Sequence, residues 1–284
     1  MRYFKLICLA SLCLLSMLSC KKDLDMTVMH KVVLGGCSFN SIRADRAWQI
    51  EVVEDECCFV ELEYSAYLEP YIKCELEGER SLRLGFNASG TLAMGSVNKA
   101  KVHLVQMELM QLSESCKVTL VGSFTTAPLT LELKDGASCS GGSASACKAS
   151  LDGGSMLEDF SCEGLDIILS EDSHFVGVVK PFADTDEPLK VRATGHSSFV
   201  NRGACSLAKA EVLVGGGSLV NMAQTEIATS LHLEVDGASE ATLRFGSGTE
   251  LTGFLHDNST LFYYGTPVFA EGFGCDETSV MTKL

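Results

Sequence analysis

The chain has few aromatic side chains, few prolines and few basic residues. Of its 284 residues, 7% are aromatic, one is Trp and five are Pro. So small an aromatic content argues against a platform on which nucleic-acid bases stack. Lys and Arg number 22 against 37 Asp and Glu, so the net charge is −15. Because phosphate recognition needs clustered basic residues, the composition predicts that nucleic acid is not a partner.

Motifs of enzymes and cofactor-binding proteins are also missing. The sequence has no Gly-x-Ser-x-Gly nucleophile elbow, no P-loop and no dinucleotide-binding fingerprint. No two cysteines are spaced C-x-x-C, no two histidines have the spacing of zinc ligands, and no Asp-x-Asp-x-Asp calcium loop is present. We therefore expect no cofactor, no metal site and no catalytic residue.

The only long apolar segment lies at the N-terminus. Residues 6–18 are uncharged and mostly apolar, and the basic residues Arg2 and Lys5 precede them. This segment is too short to span a bilayer as a helix and has the length of a signal peptide. It ends at Ser19 and Cys20, where charged sequence begins.

This junction resembles a bacterial lipoprotein signal. The resemblance implies cleavage before Cys20 and attachment of lipid to its thiol and its new amino group. It predicts a membrane partner reached through the lipid anchor, and a place in the bacterial outer membrane. A secretory signal followed by an incidental cysteine is the alternative. We predict a signal peptide over 1–19, a tether over 20–34 and one folded unit over 35–284.

Cysteines are plentiful in the rest of the chain. Ten remain after Cys20, an even number that permits disulfides in an exported protein. Buried free thiols explain them equally well, because Cys is also a small apolar core residue. The sequence leaves their pairing open.

A repeat dominates the C-terminal half of the sequence. Turns of Asp, Gly or Asn type end on a serine at steps of 17 to 24 residues, about 20 on average. The serines are Ser138, Ser155, Ser173, Ser197, Ser218, Ser239, Ser259 and Ser279. Apolar residues recur four places before each serine and two places after it, with polar or small residues commonly between them. This alternation predicts strands with one buried face.

A unit of this length cannot bury its own apolar face and must stack on similar units. The repeat therefore predicts an all-β, single-stranded parallel β-helix with about 20 residues per coil. Lys134 and Ser140 interrupt the apolar series in the first repeat, which predicts a bulge or a shifted register there. We assign regular coils to 100–284 and less regular strands to 35–99, with a loop over 85–99.

Several segments resemble the head GIN domain family of auto-transporter adhesins, common among Bacteroidetes lipoproteins. They are Phe39-x-x-Ile42, Leu68-Glu-Pro-Tyr-Ile72, Gly78 followed by Leu82-Arg-Leu84, the Asp-Gly-Ala-Ser turns, and Asn258-Ser-Thr-Leu-Phe-Tyr-Tyr-Gly-Thr-Pro267. The resemblance implies a parallel β-helix of pectin-lyase-like architecture without catalytic residues. This chain departs from the family in its many cysteines. It departs again in an insertion around 181–188, within the longest step of the repeat, between Ser173 and Ser197.

Three functions are consistent with this architecture. The one we favour is a non-enzymatic envelope lipoprotein that binds a glycan or a surface protein, as an adhesin would. The second is a polysaccharide lyase or hydrolase that uses neighbouring carboxylates among Asp135, Asp152, Asp236 and Asp276. These residues occur in turn signatures, where the side chain caps the backbone, so catalysis is not needed to explain them. The third is a periplasm-facing structural or sensing lipoprotein. The sequence does not define the ligand or the oligomeric state.

Overall fold

The computed structural model describes residues 24–78, 80–87, 90, 92–181 and 187–284. The predicted signal peptide and Cys20 lie outside the described residues. In the described part, 62% of the chain is β-strand and no α-helix occurs. One short 3₁₀ helix, Ala66–Leu68, is present. The strands build a parallel β-solenoid of about eight turns with roughly 21 residues each, which confirms the predicted fold.

The N-terminal third of the described chain contributes nine strands. They are β1 Val28–Val33, β2 Ser41–Ala44, β3 Gln49–Glu54, β4 Phe59–Ser65, β5 Ile72–Glu77, β6 Ser81–Phe86, β7 Asn98–Leu104, β8 Leu109–Leu112 and β9 Lys117–Phe124.

The remaining strands follow one another around the solenoid. They are β10 Leu129–Leu133, β11 Ser138–Ala144, β12 Cys147–Leu151, β13 Met156–Cys162, β14 Leu165–Leu169, β15 His174–Val179, β16 Leu189–Ala193, β17 Ser198–Asn201, β18 Ser206–Val214, β19 Leu219–Val235, β20 Glu240–Leu255, β21 Thr260–Phe269, β22 Gly274–Cys275 and β23 Val280–Lys283.

Two parallel stacks of strands run along the solenoid. The first stack follows the order β6, β2, β8, β10, β12, β14, β16 and then the C-terminal parts of β18, β19 and β20. The second follows β7, β3, β9, β11, β13, β15, β17 and then the N-terminal parts of β19, β20 and β21, ending with β23. The turn between the two stacks carries the repeat that the sequence shows.

Nine of these turns, from Arg46–Ala47 to Asp257–Asn258, contain two successive residues in the left-handed region. In two neighbouring coils they are Gly237 and Ala238, both with φ of 58°, and Asp257 and Asn258, with φ of 57° and 63°. Gly, Asn and Asp adopt this conformation at the lowest cost, which explains the turn composition. The backbone N–H of Ala238 donates to the carbonyl of Asp257 at 2.8 Å, so neighbouring turns are also hydrogen-bonded along the solenoid.

We call the residue directly after each left-handed pair the ladder position. In the last coil the ladder position is Ser279, which stacks on Ser259. In the first repeat this position is Ala137, one residue before the serine that the sequence suggested, because Ser138 aligns with Met156 and not with Ser155. With Ala137 as the reference, the apolar positions are Leu133 and Cys139, and both are buried. The shifted register predicted from Lys134 and Ser140 is therefore confirmed, and a bulge follows it at Gly141. In order along the solenoid, the ladder residues are Trp48, Cys116, Ala137, Ser155, Ser173, Ser197, Ser218, Ser239, Ser259 and Ser279.

The insertion after β15 leaves the register intact. Leu169 pairs with Ala193 before the turn, and His174 pairs with Ser198 after it. Both pairs are 24 residues apart, so the extra residues lie entirely between β15 and β16. Residues 182–186 of this insertion lie outside the described part of the chain.

The N-terminal coils are not stacked in chain order. The coil formed by β2 and β3 lies between the coil of β6 and β7 and the coil of β8 and β9. Beyond β7 the sheet continues antiparallel through β4 and then β1, and β5 pairs antiparallel with β6. These antiparallel strands end the parallel stacking at the N-terminal end of the solenoid.

The core fills the interior along the whole axis. Both predicted apolar series point inward and are buried, and the exceptions are Cys275 and Met281 in the last coil. Phe175 and Phe199 occupy the same position in neighbouring coils, and their rings stack at 4.8 Å between centroids.

Candidate binding surface

The serine ladder points into the solenoid. Ser173, Ser197 and Ser218 are buried, and each backbone N–H in this series donates to the serine hydroxyl of the next coil. The Ser197 hydroxyl also donates to the carbonyl of Thr194 at 2.7 Å. The ladder satisfies buried backbone groups and presents no polar edge to a ligand.

The carboxylates considered for catalysis are not adjacent. Three of them, Asp152, Asp236 and Asp276, lie three places before a ladder residue, whereas Asp135 lies two places before one and is off that row. From the Ala137 coil onward, the row reads Lys134, Asp152, Ser170, Thr194, Gly215, Asp236, His256 and Asp276. At least one other residue separates every two carboxylates of the row, so the expected neighbouring pairs do not form.

Two carboxylates of this row, Asp152 and Asp276, accept hydrogen bonds from turn residues instead. The Ser170 hydroxyl donates to the Asp152 carboxylate at 2.7 Å. The backbone N–H groups of Asp257, Thr278 and Ser279 donate to Asp276 at 2.8 to 2.9 Å. Although desolvation opposes ionisation, these donors hold the pKa of Asp276 well below its usual value. A carboxylate stabilised in this way is a poor general acid.

All ten cysteines after Cys20 are free thiols. Five are buried, and desolvation raises the pKa of Cys116, Cys139 and Cys162 to about 12. The thiolate is the reactive form, so these side chains are inert members of the core. The interpretation of the cysteines as small apolar core residues therefore holds for these buried thiols.

A shallow groove lies on the second stack, and we call it the β4–β7 groove. It has a volume of about 750 Å³ and opens to solvent on the outward side of β1, β4, β7, β3 and β9. Its polar lining residues are His30, Lys31, Gln49, Glu51, Glu61, Glu63, Lys99, Lys101, Lys117 and Thr119.

Acidic and basic strands alternate across this groove. Lys99 of β7 contacts Glu63 of β4 at 3.0 Å, and Lys101 contacts Glu51 of β3 on its other side at 2.9 Å. The hydrogen bond with Glu51 raises the pKa of Lys101, which keeps the ammonium group charged. Opposite charges directly across neighbouring strands stabilise this pairing, although exposed pairs contribute only about 1 kcal/mol or less each.

A histidine lies on β7 two residues beyond Lys101, near the loop after β3. His103 is buried, its ring stacks on Phe59 at 4.0 Å, and its Nδ1 lies 2.8 Å from the Asp55 carboxylate. This hydrogen bond lowers the pKa of Asp55. Its other nitrogen, Nε2, is 3.7 Å from Glu61, so the ring lies between two carboxylates.

This geometry can bind a polar ligand, but it does not assemble a reaction centre. The groove offers carboxylates, ammonium groups, an amide and a hydroxyl at strand spacing, all open to water. It contains no serine or cysteine beside a histidine, which an acyl-transfer site would need. Over the described residues, no group of three or more His, Cys, Asp or Glu side chains is arranged to hold a metal ion.

Sequence patterns alone do not reveal the groove, because its strands come from distant parts of the chain. A signal was present in the outward positions. Glu61 and Glu63, Lys99 and Lys101, and Gln49 and Glu51 are each spaced by two residues in a predicted or observed strand. Opposite charges on three strands are compatible with pairing, but only the fold shows that β4 and β7 are neighbours. The predicted lipid-attachment residue, Cys20, lies outside the described residues.

Comparison with solved structures supports the fold. The chain is similar to a "putative lipid binding protein" from Parabacteroides distasonis, with a TM-score of 0.62, 11% identity, and coverage of 92% of this chain and 98% of that one. A "putative adhesin" from Parabacteroides merdae gives a TM-score of 0.59 at 11% identity, covering 91% and 96% of the two chains. Another "putative adhesin", from Parabacteroides distasonis, gives 0.59 at 11% identity, covering 92% and 98%. At this identity the likeness shows a shared fold.

No protein-family model matches the sequence, and no curated protein matches it either. Membership of the head GIN domain family therefore stays a prediction. Within the described residues, no helix is long and apolar enough to cross a membrane.

Proposed function

We propose that this chain is a non-enzymatic cell-envelope lipoprotein, anchored in the bacterial outer membrane through Cys20, whose β-solenoid binds a glycan or a surface protein. The observation that carries the proposal is the β4–β7 groove, an open surface of paired charges that suits recognition of a polar ligand. Two structural neighbours named as adhesins and one named as a lipid-binding protein are compatible with a binding role.

The lining chemistry favours ligands with many hydroxyl or amide groups. Glu63 and Lys99 are both partly open to solvent, so each retains unused hydrogen-bonding capacity beside its partner. Sugar hydroxyls and peptide groups can replace the water on these atoms without leaving a charge unpaired. A strongly anionic polymer fits poorly, because the predicted mature chain carries 20 Lys and Arg against 37 Asp and Glu, a net charge of −17.

Protease shaving of intact cells tests the anchored, surface-exposed state. We expect loss of the wild-type protein without cell lysis, and release of the Cys20→Ala variant from membranes. Protection until lysis would contradict surface exposure and favour a periplasm-facing structural or sensing role. Retention of Cys20→Ala on membranes would contradict the lipid anchor.

Retention on a glycan array and on immobilised polysaccharides tests the groove. We expect the double variant Lys99→Ala and Lys101→Ala to lose retention. The matched control removes Lys148 and Lys190, which lie on the outward side of the first stack and flank Asp166 there. Equal retention by both double variants would contradict the groove as the binding site.

The same experiment separates binding from catalysis. A polysaccharide lyase or hydrolase would release new chain ends, and Asp135→Ala or Asp152→Ala would abolish them. We expect retention without any product, because other residues separate the carboxylates of the turn row, and Asp152 and Asp276 accept hydrogen bonds from turn residues of their own or neighbouring coils.

A further inference from the structure

Apolar side chains collect at the N-terminal end of the solenoid, where the chain enters the fold. Met94 is 98% exposed, and Tyr71 and Leu24 are 46% and 45% exposed. Met26 and Met29 are also more than one third exposed. We call this group of five residues the N-terminal tip.

The tip is a connected surface, because hydrogen bonds join its three segments. The N–H groups of Ala66 and Tyr67 donate to the carbonyls of Thr27 and Asp25 at 2.8 and 3.0 Å. The hydroxyl of Tyr67 accepts from the N–H of Ala93 at 3.2 Å and contacts the hydroxyl of Ser96. The segments that carry Leu24, Tyr71 and Met94 are thereby held against one another.

Nothing in the solenoid requires apolar residues at these positions. Strand β1 pairs only with β4 in the described part of the chain. Its last residue, Val33, packs against the core, but none of the five tip residues does. The methyl group of Met26 lies against Gly95, at the base of the loop that exposes Met94. Exposed apolar residues grouped in this way mark a contact surface.

The path of the chain indicates what the tip contacts. Leu24 is the fourth residue after Cys20 in the sequence. Such a segment spans at most about 14 Å, so a lipid on Cys20 would hold Leu24 close to the headgroups. Lipid anchors of one or two chains gain affinity from a second contact with the bilayer.

We propose that the N-terminal tip docks on the bilayer surface that holds the lipid anchor, with the side chains of Leu24, Met26 and Met94 among the headgroups. This inference rests on the proposed anchoring through Cys20. Asp25 and Glu69 flank the tip and are exposed. They disfavour anionic lipids, so the tip suits a zwitterionic surface. Docking in this orientation stands the solenoid axis away from the membrane, with β23 farthest from it.

Tryptophan quenching tests the proposal on the acylated, full-length protein. Met94→Trp places a probe on the tip, and the matched control Val268→Trp places one at the far end, where Val268 is 56% exposed. The single native Trp48 is fully buried and provides a constant baseline. Both proteins are reconstituted with phosphatidylcholine vesicles whose acyl chains are brominated, and unbrominated vesicles serve as the reference.

We expect brominated lipid to reduce the added emission of the Met94→Trp variant about twofold or more and to leave that of the Val268→Trp variant unchanged. Equal quenching of the two variants, or no quenching of Met94→Trp while the protein floats with the vesicles, would overturn the docking surface. If the wild-type protein carries no acyl group by mass and does not float, the proposed anchor fails as well, and the two failures are thus distinguished.

Discussion

The hydroxyl oxygen of Ser218 accepts a hydrogen bond from the backbone N–H of Ser197, one coil earlier, at 3.1 Å. In the same way, the Ser197 hydroxyl accepts from the N–H of Ser173, and the Ser239 hydroxyl accepts from the N–H of Ser218. A column of serine hydroxyls thus satisfies N–H groups that the turns bury. A buried amide without a partner is costly, and the column removes this cost at each of these coils.

Removal of one hydroxyl from this column destabilises the protein. Ser218→Ala leaves the N–H of Ser197 without its acceptor, and we expect the free energy of unfolding to fall by about 1–3 kcal/mol. Urea unfolding followed by circular dichroism measures it. Ser247, an exposed serine of β20, is the control, and Ser247→Ala should change stability by less than about 0.5 kcal/mol. Equal effects at the two sites would show that the column has no special role.

A buried asparagine secures the corner after β17. The side-chain oxygen of Asn201 accepts from the N–H groups of Val179 and Gly203 at 2.9 and 3.0 Å, and its amide nitrogen donates to the Thr225 hydroxyl at 2.9 Å. Asn201→Leu has a similar volume but removes these partners, so we expect a loss of about 2 kcal/mol or more. Asn221→Leu, at a partly exposed position of β19, is the comparison in the same denaturation assay.

The thiols divide into reactive and protected groups. Only Cys57 and Cys275 are exposed among the described cysteines, so we expect two thiols to react rapidly with a disulfide reagent at pH 8 in the native protein. After denaturation without reductant, all ten cysteines beyond Cys20 should react. The double variant Cys57→Ser and Cys275→Ser should lose the rapid phase. A count below ten in the denatured protein would reveal disulfides.

The buried thiols also predict a loss of stability in alkali. Desolvation raises the pKa of Cys139 in the folded state from 9.0 to about 12. The folded state therefore favours the protonated thiol, and the contribution is complete below pH 9 and is lost as the pH rises towards 12. We expect Cys139→Ala to reduce the slope of unfolding free energy against pH by about 1.4 kcal/mol per pH unit in this window. Cys57→Ala, at an exposed position, is the matched control in the same assay.

The repeat coils were predictable because each one obeys the same local rule. The left-handed turn, the ladder residue and the two buried positions recur in sequence order, so periodicity alone revealed the solenoid and placed Phe175 and Phe199 inside it. The error at Ser138 arose because the first repeat has Ala137 at the ladder position and a serine beside it. Two small residues are indistinguishable in a pattern, whereas the register of β11 separates them.

The groove and the tip were not predictable in the same way. Glu63 and Lys99 lie in strands with no fixed repeat between them, and their pairing depends on the antiparallel β4. The tip depends on contacts of Asp25 and Thr27 with the segment after β4. Charge alternation and single exposed methionines carry no information about such distant neighbours. The groove and the tip can therefore be located only once the fold is known.

The insertion of the β2–β3 coil between two later coils has a consequence for the order of assembly. During synthesis from the N-terminus, β2 and β3 are made early. Their parallel neighbours, β6 to β9, are complete only at residue 124. The first coil therefore has no parallel neighbour until the second coil, which ends at Leu104, has followed, and pairings over such separations form slowly. The threading thereby delays the parallel pairing of the leading segment.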